Sequence, residues 1–215
     1  MRNDPVERND RLERPEGPPG EPGPLDIPTL ERARVAELTY GALFERRLVF
    51  LSGVIKDAVA DQVAAQLLAL DARSSDDITL VIDSPGGDVS GLFVIHDTVQ
   101  TLASRVHTRC IGLAASGAAV ILATGTGTRA ATENARVLLH QPHGGIQGSA
   151  VDIEIHAREF LLLKARLEEI LADRTGKPIG QIRADTDRDF WLSADQAKEY
   201  GLIDEVLRRP SLRPV

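Results

Sequence analysis

The apolar positions of the chain fall into two alternating patterns. Short runs of aliphatic and β-branched residues, closed by Gly, Pro or Asp, indicate strands, whereas apolar residues spaced by three and four indicate amphipathic helices. The sequence therefore predicts strands over 47–51, 78–82, 105–113, 135–139 and 202–207, and helices over 29–44, 57–70, 89–102, 116–124, 152–173 and 194–200. Such alternation is typical of an α/β domain in which helices cover a mainly parallel sheet, with ligands at the carboxyl ends of the strands.

Three segments fall outside this alternation. Residues 1–24 contain six of the twelve prolines and very few apolar residues, so we expect a disordered tail or a removable pro-segment. Residues 141–148 contain a proline and three glycines, which exclude a helix and allow an edge strand or an exposed hairpin. Residues 185–192 are acidic at their start and are predicted to be irregular.

Composition narrows the class of protein. With 215 residues, of which 42% are hydrophobic, the chain can build one sizeable core, which predicts a single domain and a tail. The net charge of -7 argues against nucleic acid or an anionic membrane as the main partner. The one cysteine, Cys110, excludes an intrachain disulfide and a multi-thiolate metal site, and we interpret it as a buried core residue. No apolar run is long enough for a membrane span, so a cytoplasmic protein is expected.

Four features carry candidate chemistry, and each lies at the end of a predicted element. Ser116 stands among small residues between a strand and a helix, where unpaired N–H groups and the helix dipole favour a developing negative charge. His140 follows a strand and is a natural general base for a serine hydroxyl. Asp189 precedes an apolar run over 190–192, which is expected to bury its carboxylate beside an imidazole. The glycine turn at 83–87 offers N–H groups to an oxyanion.

Each of these features also has a plain structural interpretation. Small residues at a strand-to-helix turn are often only close packing, a single histidine is often an ordinary polar side chain, and an acidic run is often a solvated loop. A phosphate loop is an alternative for the glycine turn, although it has neither the spacing nor the lysine of a P-loop. Residue types alone leave these alternatives open, but the four features together provide a nucleophile, a base, an orienting acid and oxyanion donors.

Seven short blocks then occur along the chain in a fixed order. They are Asp83-Ser-Pro-Gly-Gly87, Ala114-Ala-Ser-Gly-Ala118, Leu139-His-Gln-Pro142, Gly144-Gly145, Asp152-Ile-Glu-Ile-His-Ala-Arg-Glu159, Asp185-Thr-Asp-Arg-Asp189 and Leu192-Ser-Ala194. Together they resemble the ClpP family, the proteolytic subunits of the ATP-dependent Clp protease, over about residues 46–206. The resemblance implies a ClpP/crotonase-like α/β fold of repeated β-β-α units, with a protruding helix-strand handle at about 141–174.

The same resemblance divides the chain into regions. A peptidase domain would cover 46–208, after a poorly matched axial region at 25–45 and before a C-terminal tail at 209–215. Family members stack two seven-membered rings into a barrel, which implies contacts with further copies of this chain or with a ClpP paralogue. The subunit itself needs no cofactor or metal, because ATP is used by the partner Clp ATPase, which delivers unfolded polypeptides.

An activity and its residues are implied as well. Ser116 is identified as the nucleophile of a serine endopeptidase, His140 as its general base and then acid, and Asp189 as the residue that orients His140. Gly87 and Gly117 would donate backbone N–H groups to the oxyanion. An extended substrate would lie between two segments, with Asp88 and Val89 on one side and His143, Gly144 and Gly145 on the other. Contact between the rings is implied for Asp187 and Arg188.

Two departures from the family pattern support an alternative function. The family usually has methionine where this chain has Gly117, and tyrosines where it has Thr79 and Val81. Loss of these aromatic side chains predicts weakened docking of the Clp ATPase. A divergent, weakly active or regulatory ring subunit, which assembles with a ClpP paralogue and contributes mainly structure, is therefore a second hypothesis. A third, a crotonase-type acyl-CoA enzyme, shares the fold family and its oxyanion loops but gives no reason for a Ser-His-Asp set.

Overall fold

The computed structural model describes residues 27–141 and 147–208, in which seven helices and seven strands occur. The helices are α1 Ile27–Phe44, α2 Asp57–Asp71, α3 Val89–Thr101, α4 Gly117–Ala123, α5 Ala150–Thr175, α6 Ile179–Asp185 and α7 Ala194–Tyr200. The strands are β1 Leu48–Ser52, β2 Ile78–Ser84, β3 Val106–Ala115, β4 Arg129–Thr132, β5 Arg136–Leu139, β6 Phe190–Ser193 and β7 Glu205–Leu207. The predicted α/β class is confirmed.

The chain divides into two compact units, Met1–Tyr40 and Gly41–Val215. The described part of the first unit is the beginning of α1, in which Val35 and Leu38 are exposed. The second unit contains the sheet and the remaining helices. The predicted tails at 1–24 and 209–215 lie outside the described residues.

A mostly parallel sheet organises the second unit, with the strand order β1-β2-β3-β4-β7. Strand β3 is long enough to pair with two further strands at different points along its length: residues 108–110 pair with β4, and residues 113–115 pair with β5. Strand β6 pairs with β5 and is antiparallel to it. The sheet therefore branches at β3, and the branch carries β5 and β6 toward the carboxyl end of β3.

The core between sheet and helices is built from aliphatic residues, as the low aromatic content of 4% requires. Helix α4 is buried along its whole length, from Gly117 to Ala123. Cys110 in β3 is fully buried, which confirms its interpretation as a core residue. Burying a helix on all sides demands small or aliphatic residues throughout, and this explains the composition of the segment after Ser116.

Three elements were not predicted. The segment 185–192 was expected to be irregular, but it contains the end of α6 and the start of β6. Strands β4 and β6 are only four residues long and lack clear alternation, so they form because a neighbouring strand edge is available to pair with them. Helix α6 contains Gly180 and is too short to show a helical period, and its first turn follows Pro178.

Helix α5 changes character along its length. Its amino-terminal half exposes large apolar side chains, namely Val151, Ile153, Ile155, Leu161 and Leu162, whereas Leu167, Ile170 and Leu171 in the other half are buried. Ser149 and Asp152 form a capping box at the start, and Gly176 ends the helix in a left-handed conformation with φ 71°. The predicted handle at about 141–174 includes this exposed half, and its segment at 142–146 lies outside the described residues.

Candidate active site

Ser116 stands at the junction of β3 and α4 in a strained backbone conformation. It is the N-cap residue of α4, with φ 56° and ψ -125°, a region that residues other than glycine rarely adopt. Its N–H donates to the carbonyl of Leu138 in β5 over 2.8 Å, and Ala115 just before it pairs with the same residue. Pairing between β3 and β5 therefore fixes Ser116 beside the end of β5.

The glycine turn after β2 packs directly on this junction. A Cβ added to Gly86 would lie 2.6 Å from the carbonyl oxygen of Ala115 and 2.8 Å from Cβ of Ser116. A Cβ added to Gly87 would likewise meet the backbone of Ile55, whose nitrogen is 2.7 Å away. Ser84 stabilises the turn through two hydrogen bonds: its buried hydroxyl donates to the carbonyl of Gly53 over 2.6 Å and accepts from the N–H of Gly86. Only glycine allows so close an approach of the turn to Ser116.

The antiparallel pair of β5 and β6 brings His140 and Asp189 together. Leu139 pairs with Phe190, so the residue after β5 and the residue before β6 lie opposite each other. Nδ1 of His140 is 3.3 Å from Oδ1 of Asp189. The expected burial of Asp189 by residues 190–192 was wrong: its side chain is 60% exposed, and Trp191 also faces solvent.

One cavity of about 250 Å³ is lined by several of the predicted residues. Ser116, His140, Gly87, Gly117 and Val89 all line it. Its other walls are Pro85, Leu92, Val120, Leu139, Gln141, Lys164, Leu167, Glu168, Leu171 and Thr186. A hydroxyl and an imidazole on the wall of a mostly apolar cavity, with a carboxylate beside the imidazole and a glycine next to the hydroxyl, form an arrangement suited to acyl transfer.

Comparison with known families gives one match. The family model described as Clp protease matches residues 31–210. The chain belongs to the Clp protease family. As a ClpP-type peptidase, it carries the expected mixed α/β fold, and the match gives no support to the crotonase-type alternative.

The remaining predicted residues of this ClpP-type peptidase either do not line the cavity or lie outside the described residues. Asp88 is exposed at the N-cap of α3. Asp187 and Arg188 are largely exposed, with Oδ2 and Nε 3.8 Å apart. The predicted substrate segment with His143, Gly144 and Gly145 lies outside the described residues.

Several polar residues of the cavity were missed by the sequence analysis. Nζ of Lys164 donates to Oε1 of Gln141 over 2.8 Å, and Nε2 of Gln141 donates to Oδ1 of Asp187 over 3.2 Å. The N–H of Gln141 also donates to the carbonyl of Thr186. Glu168 is buried four residues after Lys164 on α5. From sequence, such a pair resembles an ordinary surface ion pair on a helix, so its spacing gave no signal of a site.

A second, smaller cavity lies along β2, β3 and β4 and has polar walls. Its volume is about 240 Å³, and it is lined by Thr79, His107, Thr108, Arg109, Thr128, Ala130 and Glu205. Nε2 of His107 lies 2.9 Å from Oδ2 of Asp77, and hydrogen bonds from His107 and then Arg105 lower the pKa of that carboxyl. Val81, two residues after Thr79 on the same strand, is buried.

The described residues contain neither a candidate metal site nor a candidate membrane span. Among residues 27–141 and 147–208, no group of three or more His, Cys, Asp or Glu side chains is placed to hold a metal ion. The helices of the same ranges include none with the length and hydropathy required to cross a membrane.

Proposed function

We propose that this ClpP-type peptidase is a serine endopeptidase subunit of a self-compartmentalised barrel that degrades unfolded polypeptides. The observation that carries the proposal is the meeting of Ser116, His140, Gly87 and Gly117 on one cavity, with Asp189 3.3 Å behind the imidazole. Nucleophile, base, orienting acid and oxyanion donors are the set that serine peptidases use on unrelated folds.

The proposed reaction assigns one step to each residue. Oγ of Ser116 attacks the carbonyl carbon of the scissile bond while Nε2 of His140 takes its proton. Asp189, beside Nδ1, holds the tautomer in which Nε2 is the base and stabilises the imidazolium. The N–H groups of Gly87 and Gly117 bind the oxyanion. The imidazolium then donates its proton to the leaving amine, and water releases the acyl group from Ser116 by the same sequence.

Substrate binding is proposed to use main-chain contacts. An extended polypeptide would add as a strand between Asp88 and Val89 on one side and His143, Gly144 and Gly145 on the other. Hydrogen bonds to a peptide backbone are nearly independent of side chains, and they suit a peptidase of broad specificity. No cofactor or metal takes part in this chemistry.

The proposed subunit would assemble into rings and would receive its substrates from a Clp ATPase. The exposed apolar half of α5 and the exposed pair Asp187 and Arg188 would join stacked heptameric rings of this chain, of a ClpP paralogue, or of both. A Clp ATPase would unfold substrates at the expense of ATP and pass them into the barrel, in the cytoplasm. Thr79 and Val81, where the family has tyrosines, weaken the expected docking.

Labelling of the full chain with a fluorophosphonate tests the nucleophile. The wild type should react in its assembled form, and Ser116→Ala should not. Ser90→Ala is the matched control, because Ser90 is an exposed serine on α3 near the same cavity and is expected to leave labelling unchanged. Equal labelling of wild type and Ser116→Ala would refute the assignment.

A regulatory ring subunit is the second candidate. It is supported by the polar walls around Thr79 in the second cavity, which differ from the aromatic surface that the family presents to its ATPase. This function predicts that Ser116→Ala leaves the peptidase activity of a mixed barrel with a ClpP paralogue almost intact. A loss of activity in proportion to the number of Ser116→Ala subunits would reject it.

A further inference from the structure

The cavity beside Ser116 contains a buried carboxylate that the proposed triad does not use. Glu168 lines this cavity, and its side chain is only 6% exposed. Its Oε2 accepts two hydrogen bonds from Arg183, at 3.1 Å from Nε and 2.9 Å from Nη2. Its Oε1 is a buried atom without a hydrogen-bond partner among the described residues.

Charges around Oε1 limit which group could pair with it. Nζ of Lys164 is 3.8 Å from Oε1, beyond hydrogen-bond distance, and donates to Gln141 instead. Leaving a buried acceptor unpaired costs free energy, most of all when it is charged. A donor that enters the cavity with a substrate would recover that cost. A neutral donor would do so without adding a further cation to Lys164 and Arg183, which already offset the charge of Glu168.

The rest of the cavity selects the shape of the incoming side chain. The walls of the cavity that Ser116 and Glu168 line also include Leu92, Val120, Leu167 and Leu171, so an apolar stem is favoured over a short polar side chain. In a serine peptidase, the cavity beside the nucleophile receives the side chain of the residue before the scissile bond. The preferred residue would combine an apolar stem with a neutral hydrogen-bond donor at its tip.

We propose that Glu168 is a specificity-determining residue whose Oε1 accepts a hydrogen bond from a neutral donor on the substrate side chain before the scissile bond, with glutamine as the best example. Methionine has a similar length but no donor, lysine would add a third cation beside Lys164 and Arg183, and an ionised glutamate has no proton to donate to Oε1. This inference rests on the proposed function, since it assigns a substrate class to the same cavity.

Binding to an inactive chain tests the inference without requiring catalysis. Full-length Ser116→Ala would be titrated with acetylated tripeptides that end in glutamine, methionine, lysine or glutamate, and Kd would be measured for each. Glutamine is expected to bind most tightly. Introducing Glu168→Met should reduce the ratio of glutamine to methionine affinity about tenfold, the effect of losing a hydrogen bond to a charged acceptor.

Arg183→Met is the matched control. It breaks the same ion pair with Glu168 but keeps the carboxylate, so the preference for glutamine should remain. If Glu168→Met does not fold, as judged by circular dichroism, Glu168→Gln replaces it and should reduce the preference at least about threefold, because its acceptor is neutral. Equal affinities for glutamine and methionine, no binding of the glutamine peptide, or a ratio unchanged by the Glu168 variant would overturn the inference.

Failure of the proposed function has a different signature. If the fluorophosphonate does not label Ser116 but the binding ratio still depends on Glu168, the peptidase assignment fails and the binding site stands. If Ser116 is labelled and the ratio does not depend on Glu168, the peptidase stands and the specificity assignment fails.

Discussion

Cδ1 of Leu92 lies 2.9 Å from the position that a Cβ on Gly117 would occupy. Leu92 is buried on α3, and Gly117 opens α4 next to Ser116. The leucine therefore fills the space that a side chain at position 117 would take. Leu92 packs against the start of α4, where Gly117 carries one proposed oxyanion N–H. The absence of a side chain on Gly117 therefore leaves no void next to Ser116.

A double-mutant cycle between these two residues measures the contact. Gly117→Met should destabilise the chain by about 1–3 kcal/mol through overpacking, and Leu92→Ala by about 2–5 kcal/mol through a cavity. The double variant should be destabilised by at least about 1 kcal/mol less than the sum of the two single variants, because the methionine side chain fills the space that the leucine vacates. Urea unfolding of each variant gives the free energies.

Gly180→Met is the control for that cycle, since a Cβ at this helical glycine meets nothing within 4 Å. It should not couple with Leu92→Ala. Additive effects of Gly117→Met and Leu92→Ala would show that the two positions do not compete for the same space.

Arg129 is expected to be a stabilising residue, and it does not line the cavity beside Ser116. Its Nη1 donates to the carbonyls of Arg174 and Gly201 over 3.1 and 3.0 Å, at the ends of two helices. Arg129→Met should reduce the free energy of unfolding by about 2 kcal/mol, mainly because these carbonyls lose a donor. The exposed Arg105, changed to methionine, is the control and should have little effect.

The pH dependence of the Arg129 variant follows from Asp204. Hydrogen bonds from Arg129 hold the pKa of the Asp204 carboxyl below its ordinary value. A lowered folded-state pKa contributes stability above the unfolded pKa, and this contribution is lost as the pH falls through the folded value. The stability difference between wild type and Arg129→Met should therefore narrow below about pH 4. A difference that widens on acidification would contradict this assignment.

Cys110 is expected to resist modification in the folded chain. Burial, and then the nearby charge of Asp83, raise the pKa of its thiol to about 12. Only the thiolate reacts readily with iodoacetamide, so native protein at pH 8 should be alkylated very slowly and urea-unfolded protein rapidly. Because the pKa of the thiol is raised in the folded state, its contribution to stability is fully present below the unfolded pKa of about 8.5. This contribution is lost as the pH rises toward the folded-state pKa. Equal alkylation rates in both states would contradict the burial of Cys110.

Asp189→Asn tests whether the exposed carboxylate orients His140. If it does, kcat for a peptide substrate should fall by about 10²–10⁴, with little change in KM, because the amide favours the wrong imidazole tautomer. Asp195→Asn is the matched control, since this exposed carboxylate pairs with Arg208 instead. A kcat equal to that of Asp195→Asn would assign Asp189 to another role.

Local side-chain spacing was sufficient to predict the elements that are long or sharply punctuated. Helices α2, α3 and α5 follow from apolar spacing, and the predicted helix over 152–173 lies within α5, which Gly176 ends. The glycine turn and the small residues around Ser116 predicted a strand-to-helix junction there, because both requirements are satisfied within a few residues of the chain. The short elements β4, β6 and α6 were not predicted from the sequence, because their formation depends more on the neighbouring elements in the fold than on the pattern of their own residues.

Residue types and motif order predicted Ser116, His140 and Asp189 as candidates, but only the tertiary structure decided how they meet. The register Leu139 to Phe190 places His140 opposite Asp189, and the hydrogen bond from Ser116 to Leu138 places the serine beside them. Burial was equally beyond the sequence: Asp189 is exposed where burial was expected, and Glu168 is buried within an unremarkable charged stretch. Helix and turn preferences act between near neighbours in the chain, whereas strand register and burial are set by residues far apart in sequence.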